Sequence, residues 1–265
     1  MQIERISSAR DERVADYRDF KDPELRQRRG LFVVEGRECV RVLTTTRRFR
    51  MHSALVSPAT LEVLSDAFGD DVPVFVADAP VLAEIAGVRF HQGCVVLAER
   101  PPETPVESLL ALAGRRLLLL LEDLTDPDNI GGAFRNALAF GVDTVLLSSR
   151  CADPLYRKAI RTSLGATLRV PFARAADWPG LLERLGAAGF RRLALTPDTD
   201  GSDVADLGEP CERTAVIVGN EGEGLASATR ATADLRVRIP MVPGADSLNV
   251  AVACGIALHR IRSGR

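Results

Sequence analysis

Ser247 and Asn249 stand at the head of an apolar C-terminal stretch that runs to Leu258, where a helix over Leu248–Arg260 is expected. Polar side chains in that position can hold a ligand. They can equally cap the helix, because a side-chain oxygen there accepts from free backbone N–H groups, a contact worth about 1 kcal/mol. Two earlier segments also combine polar residues with glycine. Asp126-Pro-Asp-Asn-Ile-Gly-Gly-Ala-Phe-Arg135 follows the apolar run Arg116–Leu121, and Gly219-Asn-Glu-Gly-Glu-Gly224 follows Ala215–Val218. In the first, Ile130, Phe134 and Leu138 form an apolar helical stripe and Arg135 lies off it, four residues after Gly131 and three after Gly132. The surface beside the guanidinium then lacks side-chain bulk and would admit a phosphate or ribose. The plainer reading is a surface arginine above glycines that pack helices. In the second segment the glycines allow close backbone approach to a ligand. Glu221 and Glu223 disfavour a phosphate cradle and suit a positively charged ligand.

In order and chemistry the three segments resemble the three motifs of the SpoU (TrmH) family of RNA 2'-O-ribose methyltransferases, within the SPOUT class. The resemblance implies S-adenosyl-L-methionine as cofactor and RNA as partner. By motif match it makes Arg135 the central catalytic residue, with Asn129 supporting it, Glu221 contributing to the active site, and Ser247 and Asn249 as a polar pair. It assigns Gly219, Asn220 and Gly224 to the cofactor loop, Ile239, Met241 and Leu248 to the adenosine pocket, and Thr196 to a further cofactor contact. Ordinary core packing would also account for Ile239 and Leu248, and the two readings are compatible.

The implied reaction moves a methyl group from positive sulfur to a ribose 2'-hydroxyl, an in-line displacement accelerated by holding the reactants in near-attack geometry. A guanidinium, with an ordinary pKa above about 12, is a poor general base. Arg135 is therefore expected to position and stabilise, while a phosphate oxygen or another acceptor takes the proton. No metal is required. Ribosomal RNA, of the large subunit (23S), is the preferred substrate. Transfer RNA and a non-catalytic RNA-binding or ribosome-assembly role are the alternatives. A dinucleotide-binding enzyme is disfavoured because no G-x-G-x-x-G follows the first strand and the glycine-rich loop comes late in the chain.

Positioning these residues requires an α/β protein. At 265 residues the chain suits two domains. Residues 1–100 read as a small α/β unit, with a charged helix over Glu12–Arg28, strands at Leu31–Glu35, Ala54–Ser57 and Val72–Val76, and helices at Arg37–Thr45, Thr60–Phe68 and Pro80–Ala86. Phe32-Val-Val-Glu-Gly-Arg-Glu and Phe90-His-Gln-Gly-Cys-Val-Val resemble the L30e-like substrate-binding domain found in many members of that family. Three prolines between Pro101 and Pro105 mark a linker over 101–114. From residue 115 to 265, strands at Leu117–Leu121, Thr144–Leu147, Leu168–Pro171, Arg191–Thr196, Thr214–Val218 and Leu235–Ile239 alternate with helices at Ile130–Phe140, Pro154–Leu164 and Trp178–Ala188. That pattern predicts a mainly parallel sheet flanked by helices. The resemblance, and not the pattern, adds a C-terminal trefoil knot. It also implies a homodimer through the knot region, which the small, apolar face of Val250–Ala257 would suit.

The net charge of −2 does not by itself point to nucleic acid, but its distribution does. Residues 1–50 carry 13 Arg and Lys against 9 Asp and Glu, and all basic residues except Lys21 and Lys158 are arginine, whose planar fork suits phosphates. Arg26, Arg28, Arg29 and Arg37 form one candidate RNA surface. Arg157 and Arg161, four apart on one helical face, form another; solvated surface is the alternative for both. The 5 cysteines lack metal-site spacing and only 3 histidines are present, so no metal site is expected. Apolar runs are too short for a membrane span of about 20 residues, and the N-terminus lacks a signal-like segment. A cytoplasmic protein is expected.

Overall fold

The computed structural model describes residues 2–18, 29–86, 93–110, 114–207, 211–242, 244–245 and 247–263. The first part of the chain forms β1 (Gln2–Arg5), a 3-10 helix (Glu12–Tyr17), β2 (Leu31–Glu35), α1 (Arg37–Thr46), β3 (Met51–Val56), α2 (Pro58–Leu64), β4 (Pro73–Val76), α3 (Ala79–Ala86) and β5 (Cys94–Glu99). There follow α4 (Val106–Leu110), β6 (Arg116–Leu121), α5 (Pro127–Ala139), β7 (Thr144–Ser148), α6 (Arg157–Thr162), α7 (Ala166–Arg169), β8 (Phe172–Ala175) and α8 (Trp178–Ala187). The last elements are β9 (Arg191–Leu195), β10 (Ser202–Asp203), β11 (Arg213–Val218), α9 (Ser227–Thr232), β12 (Leu235–Arg238) and α10 (Val250–Ser263). Two compact units result: Met1–Pro102 with Leu155–Arg169, and Glu103–Pro154 with Val170–Arg265.

The first unit is built on a mixed sheet of order β1-β4-β3-β5-β2, in which β5 runs antiparallel to both neighbours. Its apolar strands bury Leu31, Val33, Leu55, Val95 and Leu97 in one core with Tyr17. The Tyr17 hydroxyl pairs with Ser53 Oγ at 2.6 Å, which satisfies both buried groups. Helices α6 and α7 belong to this unit, α6 against β2 and α7 against α1. Leu164 and Gly165 both adopt left-handed backbone, with φ of 51° and 78°, and so separate two short helices. A Cβ on Gly165 would lie 3.0 Å from the Val42 side chain of α1, so the turn also permits close packing.

The second unit is a seven-stranded, wholly parallel sheet of order β10-β12-β9-β11-β6-β7-β8. The run Leu117–Leu121 is apolar at every position because both faces of a parallel strand are covered. Leu118 and Leu120 join Ala215, Ile217 and, from α8, Leu181, Leu182 and Leu185 in one core. The alternate Leu117, Leu119 and Leu121 point to the other face and are equally buried. Helix α5 begins with Asp126 accepting from Asp128 N at 2.9 Å and with Pro127 in its first turn. It packs along α10. A Cβ on Gly132 would sit 2.6 Å from Ala251 Cβ, and Asn136 Nδ2 donates to Ala251 O at 2.6 Å.

The structure corrects several sequence expectations. Only Glu12–Tyr17 of the expected helix Glu12–Arg28 is described as helical, as a 3-10 helix; Arg18 is extended and residues 19–28 lie outside the described residues. Leu168 and Arg169 of the expected strand Leu168–Pro171 instead end α7, and β8 starts after Pro171. The left-handed turn at Leu164 and Gly165 resets the chain for a second helix, a tertiary choice that so short a segment cannot announce. Strands β1 and β5 and helices α4 and α9 were not expected. The segment expected as a linker contains α4, whose Val106 is buried in the sheet core.

Candidate active site

Because the strands of the second unit are all parallel, the segments that leave β6, β9, β11 and β12 emerge at the same edge of the sheet, the usual position for ligand sites in such folds. At the end of β11 the chain doubles back on itself. A Cβ on Gly219 would lie 2.4 Å from the carbonyl carbon of Gly224, so only glycine admits this turn. Asn220 is its internal staple. Its Oδ1 accepts from Gly222 N at 2.8 Å, its backbone oxygen accepts from Gly224 N at 2.9 Å, and its Nδ2 donates to Asp123 O at 2.8 Å. Gly224, at φ 68°, completes the loop in left-handed conformation.

The loop presents Glu221 to the two asparagines singled out in the other motifs. Asn129 Nδ2 donates to Glu221 Oε1 at 2.5 Å, and Asn249 Nδ2 donates to the same oxygen at 3.2 Å and to Asn129 Oδ1 at 2.9 Å. Asn249 also caps α10, its Oδ1 accepting from Ala251 N at 2.9 Å and Val252 N at 3.3 Å. Capping and site membership, posed as alternatives from sequence, coexist in one side chain because its oxygen serves the helix while its amide nitrogen serves the carboxylate.

Beside this network is a cavity of about 360 Å³. Thr196, Gly219, Asn220 and Gly224 line it, as do Ile239, Met241, Ser247, Leu248 and Glu221. Thr196 is fixed by its backbone N–H to Val237 O at 2.9 Å, and its hydroxyl oxygen accepts from Asp198 N at 3.2 Å. Apolar walls with acidic groups suit a flat apolar moiety joined to a positive charge. The volume falls within the range of small-molecule pockets, about 300–1,000 Å³.

Arg135 is exposed on α5 and, among the described residues, makes no hydrogen bond or ion pair. The glycine gap expected beside it is not open. Gly132 is closed off by Ala251 of α10 and Gly131 is buried, so these glycines serve helix packing while the guanidinium projects outward. Ser247 is likewise exposed and without a polar partner among the described residues.

Three site residues escaped the sequence reading. Glu122, 5% exposed, accepts from Ala226 N at 3.0 Å and Trp178 Nε1 at 3.1 Å, tying the end of β6 to the segment after the glycine loop. Asp198 and Arg230 both line the cavity and face each other at 3.8 Å. An acid just after the C-terminal end of a strand was a usable signal for Asp198. Arg230 sits in a six-residue helix with no local signature, and only packing reveals it.

The candidate RNA-binding arginines lie in the first unit. Arg157 and Arg161 share one face of α6 as expected, but both approach Glu35, at 3.8 and 3.9 Å, so one carboxylate offsets part of their charge. Arg29 pairs with Asp16 at 2.5 Å. Arg37 is exposed at the start of α1, whereas Arg26 and Arg28 lie outside the described residues. Cys39, Cys94, Cys151 and Cys254 are buried free thiols and Cys211 is an exposed one. Among the described residues there is no cluster of three metal-ligating side chains, and no helix is long and apolar enough to cross a membrane.

Comparison with known proteins bears on this geometry. Residues 116–259 match the SpoU rRNA Methylase family. A Mycobacterium bovis protein described as an uncharacterized tRNA/rRNA methyltransferase is 38% identical over 271 residues, covering 100% of this chain and 93% of the relative. A similarly described Synechocystis protein is 29% identical over 271 residues, with coverage of 98% and 94%. The crystal structure of an RNA 2'-O ribose methyltransferase superposes with a TM-score of 0.82 at 25% identity, covering 98% of this chain and 99% of the other. An AdoMet-bound rRNA methyltransferase from Sinorhizobium meliloti shares the fold, with a TM-score of 0.85, 24% identity and coverage of 99% and 98%. The second unit thus has the architecture of an RNA-modifying methyltransferase. The chain belongs to the SpoU family of RNA methyltransferases.

Proposed function

We propose that this chain transfers the methyl group of S-adenosylmethionine to a ribose 2'-hydroxyl in RNA, with 23S ribosomal RNA as substrate. The observation that carries the reading is the Asn129–Glu221–Asn249 network at the rim of an apolar and acidic cavity. Relatives described as tRNA/rRNA methyltransferases and a structural neighbour described as AdoMet-bound support it.

The cavity fits the cofactor on chemical grounds: Ile239, Met241 and Leu248 offer apolar surface, and Glu221 and Glu223 offer negative charge toward a sulfonium. When bound, the cofactor supplies an electrophilic methyl on positive sulfur. Asn129 and Asn249 fix Glu221 through two N–H donors, so the negative charge at the rim is preorganised and needs no reorientation as the reaction proceeds. Arg135, exposed and unpaired among the described residues, meets an RNA phosphate and holds the ribose hydroxyl in place. Guanidinium stays protonated, so the proton leaving the ribose hydroxyl would pass to a phosphate oxygen or another acceptor held near Arg135. Ser247 contributes a hydroxyl at the same rim.

Residues 1–100, read as an L30e-like domain, and the arginines Arg29, Arg37, Arg157 and Arg161 serve to hold structured RNA; unpaired nucleotides are the accessible targets. A ribosomal substrate places the reaction in the cytoplasm. Helix α10 supports a homodimer. Its Ala251 and Gly255 pack inward against α5, whereas Val252 and Ile256, four apart on the helix, leave 51% and 38% of their surfaces exposed. Val242, 76% exposed, lies on the segment that leads into the helix.

The test is transfer of labelled methyl from S-adenosylmethionine to total RNA lacking this modification, followed by mapping of 2'-O-methyl sites. Incorporation into 23S RNA is expected. Incorporation into transfer RNA alone would reassign the substrate, and none at all despite cofactor binding would leave the non-catalytic role.

A further inference from the structure

The residues that line the cavity include three carboxylates, Asp198, Glu221 and Glu223, and among the described lining residues a single cation, Arg230. A sulfonium donor has an amino-acid arm ending in a carboxylate, and that group is repelled by such walls unless something positive or an N–H group receives it. The glycine-rich loop is the obvious source of backbone N–H groups. Three of its donors are turned inward: Gly222 N and Glu223 N point to Asn220 Oδ1 at 2.8 and 3.5 Å, and Gly224 N points to Asn220 O at 2.9 Å, and none of the loop's N–H groups carries a full charge. Arg230 is held only loosely. Its contact with Asp198 is 3.8 Å, well beyond the roughly 2.7–2.9 Å of a strong charge-assisted hydrogen bond. Its other contact is a 3.4 Å approach to Ser227 Oγ, and its side chain is 38% exposed. A planar fork in this state can accept a carboxylate without breaking a tight pair.

We infer that Arg230 determines specificity for the methyl donor by binding the α-carboxylate of its amino-acid arm, with Asp198 keeping the guanidinium at the cavity wall. The inference rests on the cofactor reading above.

The experiment measures affinity, by calorimetry, of the full chain for S-adenosylhomocysteine and for 5'-methylthioadenosine, which keeps the adenosine but lacks the amino-acid arm. Arg230→Met should weaken S-adenosylhomocysteine about tenfold or more while changing 5'-methylthioadenosine less than about twofold. Arg230→Lys, which keeps the charge but not the fork, should restore part of the loss. If Arg230→Met fails to fold, Arg230→Gln carries the same comparison. Equal weakening of both ligands would make the pair a support of cavity shape and overturn the assignment, as would no change in either. A wild-type chain that binds 5'-methylthioadenosine as tightly as S-adenosylhomocysteine would also overturn it while leaving the adenosine site standing. A wild-type chain that binds neither would overturn the cofactor reading and the assignment together.

Discussion

The side-chain nitrogen of Asn249 lies 2.9 Å from Asn129 Oδ1 across a separation of 120 residues, and both asparagines donate to one oxygen of Glu221. The start of α10, the start of α5 and the loop after β11 are thereby fixed to one another at the cavity rim. Removing any one of the three side chains takes away two of these three hydrogen bonds and leaves the third.

Asn249 serves both helix and network, and the two roles separate by substitution. Asn249→Ala should lower stability by about 1 kcal/mol through loss of the cap and reduce methyl transfer about 100-fold through release of Glu221. Asn249→Ser keeps a capping oxygen but has no amide nitrogen, so it should melt like wild type and remain impaired. Thermal unfolding beside a transfer assay checks both; a fully active Ser variant would remove Asn249 from the active site.

Arg135 is exposed and unpaired among the described residues, so Arg135→Ala should leave the melting temperature and the affinity for S-adenosylhomocysteine nearly unchanged. Transfer to RNA should fall by about 100-fold or more. A stable variant that transfers methyl at the wild-type rate would defeat the catalytic assignment.

Arg157 and Arg161 both lean on Glu35, whose side chain is only 13% exposed. The double change Arg157→Gln with Arg161→Gln should weaken RNA binding and lower the slope of log affinity against log salt by about 1 to 2, since each phosphate contact releases a counterion. Filter binding at several salt concentrations reads this out, and an unchanged slope would move the RNA surface elsewhere.

Complete burial in α10 pushes the Cys254 thiol up from 9.0 to about 12. The unfolded chain loses this proton near pH 9 and the folded chain only near pH 12, so stability is intact below pH 9 and declines as pH rises through that window, by at most about 1.4 kcal/mol per pH unit from this group. Cys39 and Cys94, raised by burial to about 11 and about 12, act in the same direction. Urea midpoints at pH 8 and pH 10.5 should differ less in Cys254→Ala than in wild type. Equal differences would place the alkaline loss in other groups.

Much of the second unit was legible because its strands are short, continuous apolar runs and its helices carry period-3.6 stripes, signals that survive without knowledge of the partners. The mixed sheet of the first unit was less so. β1 is an edge strand of four mostly exposed residues. The difference at Leu168–Pro171 has a similar origin, because four residues with two alternating apolar side chains, Leu168 and Val170, are too few to tell a helix turn from a strand.

The sequence by itself determined which residue types were available for chemistry, the glycines that allow a tight loop after β11, and an order of motifs that resembles one enzyme family. The trefoil threading came from that resemblance alone. Tertiary structure decided the distances: that Asn129, Glu221 and Asn249 share hydrogen bonds, that Gly132 packs against Ala251 instead of opening a gap beside Arg135, that Glu122 clamps Ala226, and that Arg230 reaches the cavity wall. Local periodicity reports which face of an element is buried, since that depends on nearest neighbours in the chain. Which two buried or polar groups meet across 120 residues depends on the register of packed sheets and helices, and that register is a property of the whole fold.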